Sequence, residues 1–130
     1  MNAYLFVAGG LFFFLGIAHS VIGEYLIFNA KRNKGSIVPS KKSVELKERH
    51  LRIIWATWHL SSLLGWCIGA ILIKISLEQN ELNSNITDFI VPLIIYATFV
   101  SSFLVLIGTK GKHPGWIGFL LIGILLLIGN

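Results

Sequence analysis

Two histidines, His19 and His59, stand inside long apolar stretches of this chain, and each has serine close behind it: A-H-S at Ala18–Ser20 and W-H-L-S-S at Trp58–Ser62. An ionisable side chain within a membrane span costs a few kcal/mol, so by default it marks a functional site. Imidazole there has three uses. It ligates haem iron or a transition metal, it carries a proton, or it merely hydrogen-bonds a neighbouring helix, worth about 0.6 kcal/mol on average. Depth follows from helix rise. With Phe28 and Leu51 taken as one membrane face, His19 and His59 both lie about 12–14 Å inside it. Ser20, Ser61, Ser62, Thr98, Ser101 and Ser102 fall near the same plane, whereas Glu24 lies only about 6 Å in, close to the level of Arg52.

Helical faces sharpen the pattern. Arg52, Trp55, His59, Ser62 and Trp66 form one stripe, and Phe12, Gly16, His19 and Gly23 another, while Gly16, Ser20 and Glu24 align at spacings of four. The candidate cofactor-binding set is therefore His19, His59, Ser20, Ser62, Trp55 and Trp58, with the two histidines also the metal candidates. Glu24 and Arg52 are expected to pair at the cytoplasmic rim, since charges within a membrane survive by compensation. A b-type haem on His19 and His59 would use the room left by Gly16 and Gly23, against which the three tryptophans Trp55, Trp58 and Trp66 crowd the slot. A metal would draw a further ligand from Glu24 or His113. No nucleophile–base–orienter set can be placed, because Ser20 adjoins His19 and consecutive helix residues point about 100° apart.

The elements that must position these groups are transmembrane helices. The chain has 130 residues, of which 55% are hydrophobic and 13% charged. A soluble domain this short could not cover so much apolar surface, so lipid covers it. Nine of the eleven Lys and Arg fall in two segments between apolar runs, a topology signal and not a nucleic-acid face. The single cysteine, Cys67, has no partner for an intrachain disulfide. Spans are expected at about 3–28, 51–75, 86–108 and 114–129, making one all-α membrane domain, a four-helix bundle with antiparallel neighbours. Met1 and Asn2 offer no basic leader, so the first span reads as a retained anchor. The basic loop at about 29–50 and the turn Thr109–Pro114 belong in the cytoplasm, and the loop bearing Glu78, Glu81 and Asp88 outside, which puts both termini out. Ser43 is the expected N-cap of the second helix, with Glu45–Arg49 and Glu48–Arg52 as i,i+4 pairs. Gly65 and Gly69 form a G-x-x-x-G row for close helix approach. Pro92 is expected in an early turn of the third helix, and Pro114 at the first position of the fourth.

Three motifs, G-I-A-H-S-V-I-G-E (Gly16–Glu24), W-H-L-S-S (Trp58–Ser62) with Trp66, and G-K-H-P-G-W (Gly111–Trp116), resemble a family of small bacterial proteins with four transmembrane helices for which no activity is established. The resemblance implies a multi-pass inner-membrane protein whose marked positions are His19, Glu24, His59 and His113. Three functions compete on the residues alone. An accessory or structural membrane protein, not an enzyme, asks least of the sequence. A haem- or metal-binding module would use His19 and His59. A small proton-coupled transporter would use His19 and Glu24, although Glu24 lies near the rim and transporter sites tend to lie at the midplane. The expected partners are membrane lipids, including anionic inner-leaflet lipid drawn to the basic loop at about 1 kcal/mol per cation, with an oligomer or larger membrane complex compatible and nucleic acid not.

Overall fold

The computed structural model describes residues 1–39, 41, 47–78 and 84–130, the side chains of 84–86 excepted. The fold is all-α. Its helices are α1 (Ala3–Gly23), α2 (Glu48–Leu77), α3 (Ser84–Gly108) and α4 (Gly115–Gly129). Beyond Gly23 the first helix continues through a π-helical turn, Glu24–Phe28, and a 3-10 turn, Asn29–Lys31. The segments Ala3–Lys31, Glu48–Leu77 and Thr87–Gly108 are long and apolar enough to cross a membrane. With 15 residues, α4 spans about 22 Å.

Neighbours in sequence are antiparallel, but the bundle is not an even square. α1 lies against both α2 and α4, α3 lies against α4, and α2 and α3 touch only slightly. The spatial order is therefore α2, α1, α4, α3. Small residues set the closest approaches, as they do where van der Waals packing drives helix association. A Cβ on Gly69 would stand 2.8 Å from the carbonyl oxygen of Gly9, so of the G-x-x-x-G pair Gly69 brings the α2 backbone onto α1, whereas a Cβ on Gly65 would meet nothing nearer than 3.9 Å. On α4, Gly118 receives Leu15 of α1 and Gly123 receives Phe99 of α3.

The core gathers at the end of the bundle that holds the termini. Leu5, Ala8 and Phe12 of α1 meet Leu72 and Ile75 of α2, Val91 of α3, and Ile122 and Leu126 of α4. Asn2 closes that end. Its side-chain oxygen accepts from the amides of Tyr4 and Leu5 as the N-cap of α1, and its Nδ2 donates to the Gly129 carbonyl at 2.7 Å. Its backbone N–H donates to the Ser76 carbonyl at 3.0 Å, and the Ser76 hydroxyl donates back to the Asn2 carbonyl at 2.6 Å. One asparagine thus joins the ends of α1, α2 and α4.

Several expected boundaries move. α2 begins at Glu48, because Lys47 is extended (φ −68°, ψ 150°) and interrupts any helix running from Ser43; Ser43 itself and the Glu45–Arg49 pair lie outside the described residues. The Glu48–Arg52 pair forms, at 3.1 Å. Pro92 lies about two turns inside α3, not in its first turn. Its missing amide is the kind of interruption that neighbouring helices and local adjustment make tolerable in apolar helices. Pro114 is the N-cap of α4, one position before the expected one.

Replacing Asn2 by alanine removes a cap and a cross-helix bond together. Thermal unfolding in mild detergent should show a loss of about 1–2 kcal/mol; an unchanged melting curve would mean that the clamp contributes nothing.

Candidate functional site

The opposite end of the bundle is polar, and the change in helix type at Glu24 shapes it. There the hydrogen bonds of the first helix lengthen to the π pattern, with the Asn29 amide donating to the Glu24 carbonyl. π turns of this kind recur at functional sites. The Glu24 carboxylate accepts from the Trp55 indole at 2.6 Å, faces His59 Nε2 at 3.2 Å, and pairs through its other oxygen with Arg32. The second nitrogen of His59, Nδ1, lies 3.0 Å from Ser20 Oγ, which lies 3.0 Å from Ser62 Oγ. A continuous line of polar groups results: Arg32, Glu24, His59, Ser20, Ser62.

Hydroxyls rotate, so this line is satisfied in two proton arrangements. In one, His59 is an imidazolium that donates to Glu24 and to Ser20, while the Ser20 hydroxyl donates to Ser62. In the other, His59 is neutral and donates only from Nε2 to Glu24, Ser20 donates to Nδ1, and Ser62 donates to Ser20. Moving between them needs one proton and two hydroxyl rotations, with no displacement of a helix.

Tryptophans frame the line. Trp58 Nε1 donates to the His19 carbonyl at 2.9 Å and Trp66 Nε1 to the Phe13 carbonyl at 3.2 Å. A Cβ on Gly23 or Gly16 would collide with the Trp58 or Trp66 indole respectively, so both glycines exist to seat these rings. Phe28, fully buried, meets Trp58 edge-on at 5.8 Å and lies 6.2 Å from His59. Trp55 meets His59 edge-on at 4.9 Å.

The expected stripe on α2 is therefore present in Trp55, His59, Ser62 and Trp66, all engaged with α1. Arg52 leaves it. Its side chain is exposed and pairs with Glu48, so the expected Glu24–Arg52 pair does not form. Arg32 takes that place, reaching back from just beyond the 3-10 turn while its Nε donates to the Ile37 carbonyl at 2.6 Å.

His19 and His59 have separate surroundings. His19 stacks on Trp58 with centroids 4.1 Å apart and planes 7° apart, and its Nε2 lies 3.4 Å from Ser61 Oγ. No hydrogen bond or ring contact joins the two histidines among the described residues. The room expected for a flat ring beside Gly16 and Gly23 is filled by indoles, and both His59 nitrogens are occupied. Among the described residues, no three His, Cys, Asp or Glu side chains are grouped to hold a metal ion.

His113 sits in the turn before α4, where its Nδ1 accepts from the Gly115 amide at 3.1 Å, a helix-capping role. The third-helix hydroxyls do not join the line. Ser102 donates to the Trp116 carbonyl at 2.7 Å and Thr98 to the Ile94 carbonyl at 2.5 Å, so both are spent within the α3–α4 pair. Ser101 is also on α3, which packs mainly against α4.

No protein-family model, curated protein or solved structure matches this chain. What the arrangement does chemically is read from its own groups: a carboxylate held by three donors, an imidazole with both nitrogens in use, and two hydroxyls in series.

The exchange of arginines gives a direct test. Arg32→Ala strips a partly buried carboxylate of one partner and should cost about 1–3 kcal/mol in detergent thermal unfolding. Arg52→Ala, which loses only an exposed pair, should stay within about 0.5 kcal/mol of wild type. Equal losses would contradict the pairing described.

Proposed function

We propose that this chain is a multi-pass protein of the cell inner membrane, with its basic segments in the cytoplasm and both termini outside, and that its role is accessory and architectural. Three apolar helices of spanning length support the membrane placement. The orientation rests on the cations Lys31, Arg32, Lys34, Lys41, Lys110 and Lys112, all at the end of the bundle opposite the termini. Anionic lipid is the natural partner of that end. The short α4 is accommodated by local thinning of the bilayer, at a fraction of a kcal/mol per Å of mismatch.

One observation carries the architectural role. The polar side chains between α1 and α2 are spent on one another, and among the described residues no buried side-chain nitrogen or oxygen lacks a partner. In lipid the hydrophobic effect does not drive helices together, so satisfied polar contacts and small-residue packing set their register. Glu24–His59–Ser20–Ser62, flanked by the seated tryptophans, locks α1 onto α2 in one register. The Glu24 carboxylate is already compensated by three donors, one of them the Arg32 guanidinium, which ranks the transporter reading lower.

Two measurements test this. In a Cys67→Ser background, a membrane-impermeant maleimide added to spheroplasts should label Asn130→Cys, and should label Lys34→Cys only after permeabilisation; the reverse pattern would overturn the orientation. His59→Ala should lower thermal stability by about 1–3 kcal/mol, and added haem or divalent metal should leave the melting of wild type unchanged. Stabilisation by either additive would replace the architectural role with a cofactor-binding one.

A further inference from the structure

We propose that Ser20 is a nucleophile, with His59 as its general base and Glu24 as the group that orients His59, acting on a carboxylic ester carried by a lipid or lipophilic molecule in the cytoplasmic half of the bilayer. The proposal rests on the membrane placement above but not on the register role, which the same residues fulfil independently. A register lock needs only satisfied donors and acceptors. This line has more: a hydroxyl 3.0 Å from one imidazole nitrogen and a carboxylate 3.2 Å from the other, the set that activates a serine. The carboxylate meets Nε2 and the hydroxyl meets Nδ1, and either imidazole nitrogen serves as base once the other is held as donor.

The remaining contacts fit the same role. Trp55 and Arg32 hold the Glu24 carboxylate in place. A second hydroxyl, the buried Ser62, lies 3.0 Å from Ser20 Oγ, where it can donate to an oxygen forming on the attacked carbon. Access defines the substrate. Ser20 is only partly buried, and the apolar residues Ile17, Val21, Leu60 and Leu63 on the same stretches of the two helices are exposed, so a reactant reaches it through lipid.

The step balances without a cofactor. Ser20 Oγ bonds to the ester carbonyl carbon as its proton passes to His59 Nδ1, and the carbonyl electron pair moves to oxygen, to which Ser62 donates. Collapse breaks the bond to the alcohol, which leaves with the proton from Nδ1. Water then gives a proton to Nδ1, attacks the acyl carbon, and releases the acid as Ser20 regains its proton. In between, His59 carries the charge that Glu24 neutralises. Ser20, His59 and Ser62 touch reacting atoms; Glu24 is a positioning residue.

A lipophilic fluorophosphonate, incubated with the full chain in mild detergent and followed by tandem mass spectrometry, tests this. The expected result is a covalent adduct on Ser20, absent in Ser20→Ala and formed roughly 100-fold more slowly or less in His59→Ala. His59→Gln keeps hydrogen-bonding capacity without a base, so it serves where His59→Ala does not fold, and it should lose labelling equally. Glu24→Gln should also slow labelling by roughly 100-fold, with partial recovery in Glu24→Asp, a rescue that a purely structural role would not produce. The proposal is overturned if folded wild type gives no Ser20 adduct while a serine hydrolase added to the same micelles is labelled, or if labelling persists at the wild-type rate in His59→Gln. Neither result bears on the register role, which fails separately if His59→Ala melts like wild type.

Discussion

A carboxylate set in an apolar helix has to be neutralised where it stands, and the polar half of this protein is arranged around that requirement at Glu24. Three donors from two parts of the chain meet it: Trp55 and His59 come from α2, about one helical turn apart, and Arg32 comes from the segment after α1. Because Arg32 also donates to the Ile37 carbonyl, the same carboxylate anchors the start of the basic loop. Because His59 continues to Ser20, it also ties α2 back to α1 one turn deeper. Deleting the carboxylate would leave an indole, an imidazole and a guanidinium competing for partners within apolar surroundings, where an unmade hydrogen bond is costly.

The two ends of the bundle solve the packing problem differently. Near the termini, apolar side chains from all four helices form one core, closed by the Asn2 clamp. At the other end, where α1 faces α2, glycines make room for indoles whose N–H groups need acceptors, and helix carbonyls supply them. Both solutions depend on small residues that permit either a neighbouring backbone or a ring to approach. At Gly9 and Gly69 the backbones meet, while at Gly16 and Gly23 the rings of α2 meet α1.

Much of this was legible in the sequence, within definite bounds. Three apolar helices of spanning length follow from hydropathy. The stripe Trp55–His59–Ser62–Trp66 and the alignment of Ser20 with Glu24 follow from 3.6-residue periodicity, and the structure has both on the α1–α2 seam. The partner of Glu24 was not legible, because counting depth along a straight α-helix brings Arg52 to its level. The chain instead passes through π and 3-10 turns after Gly23, and the long Arg32 side chain reaches back. Ser101 and Ser102 share a depth with His59 but not a seam, since depth is a count along one axis and the order α2, α1, α4, α3 is not contained in it. Asn2 precedes the apolar run, and its one signal in the sequence is an N-capping residue type just before the first helix.

The exchange available to His59 connects the two roles assigned to the cluster. A lock made from two amides, or from hydroxyls alone, would hold α1 to α2 in a single proton arrangement. Here an imidazole stands between a carboxylate and a hydroxyl, and the line remains fully hydrogen-bonded whether or not His59 carries a proton. Register is therefore preserved through a proton transfer, which is the condition a base must meet if the helices that hold it are not to move when it works. The same condition separates the two histidines. His19, stacked flat on Trp58 with one distant serine at 3.4 Å, gains nothing comparable from changing charge. It belongs to the frame, and His59 to the line that the frame supports.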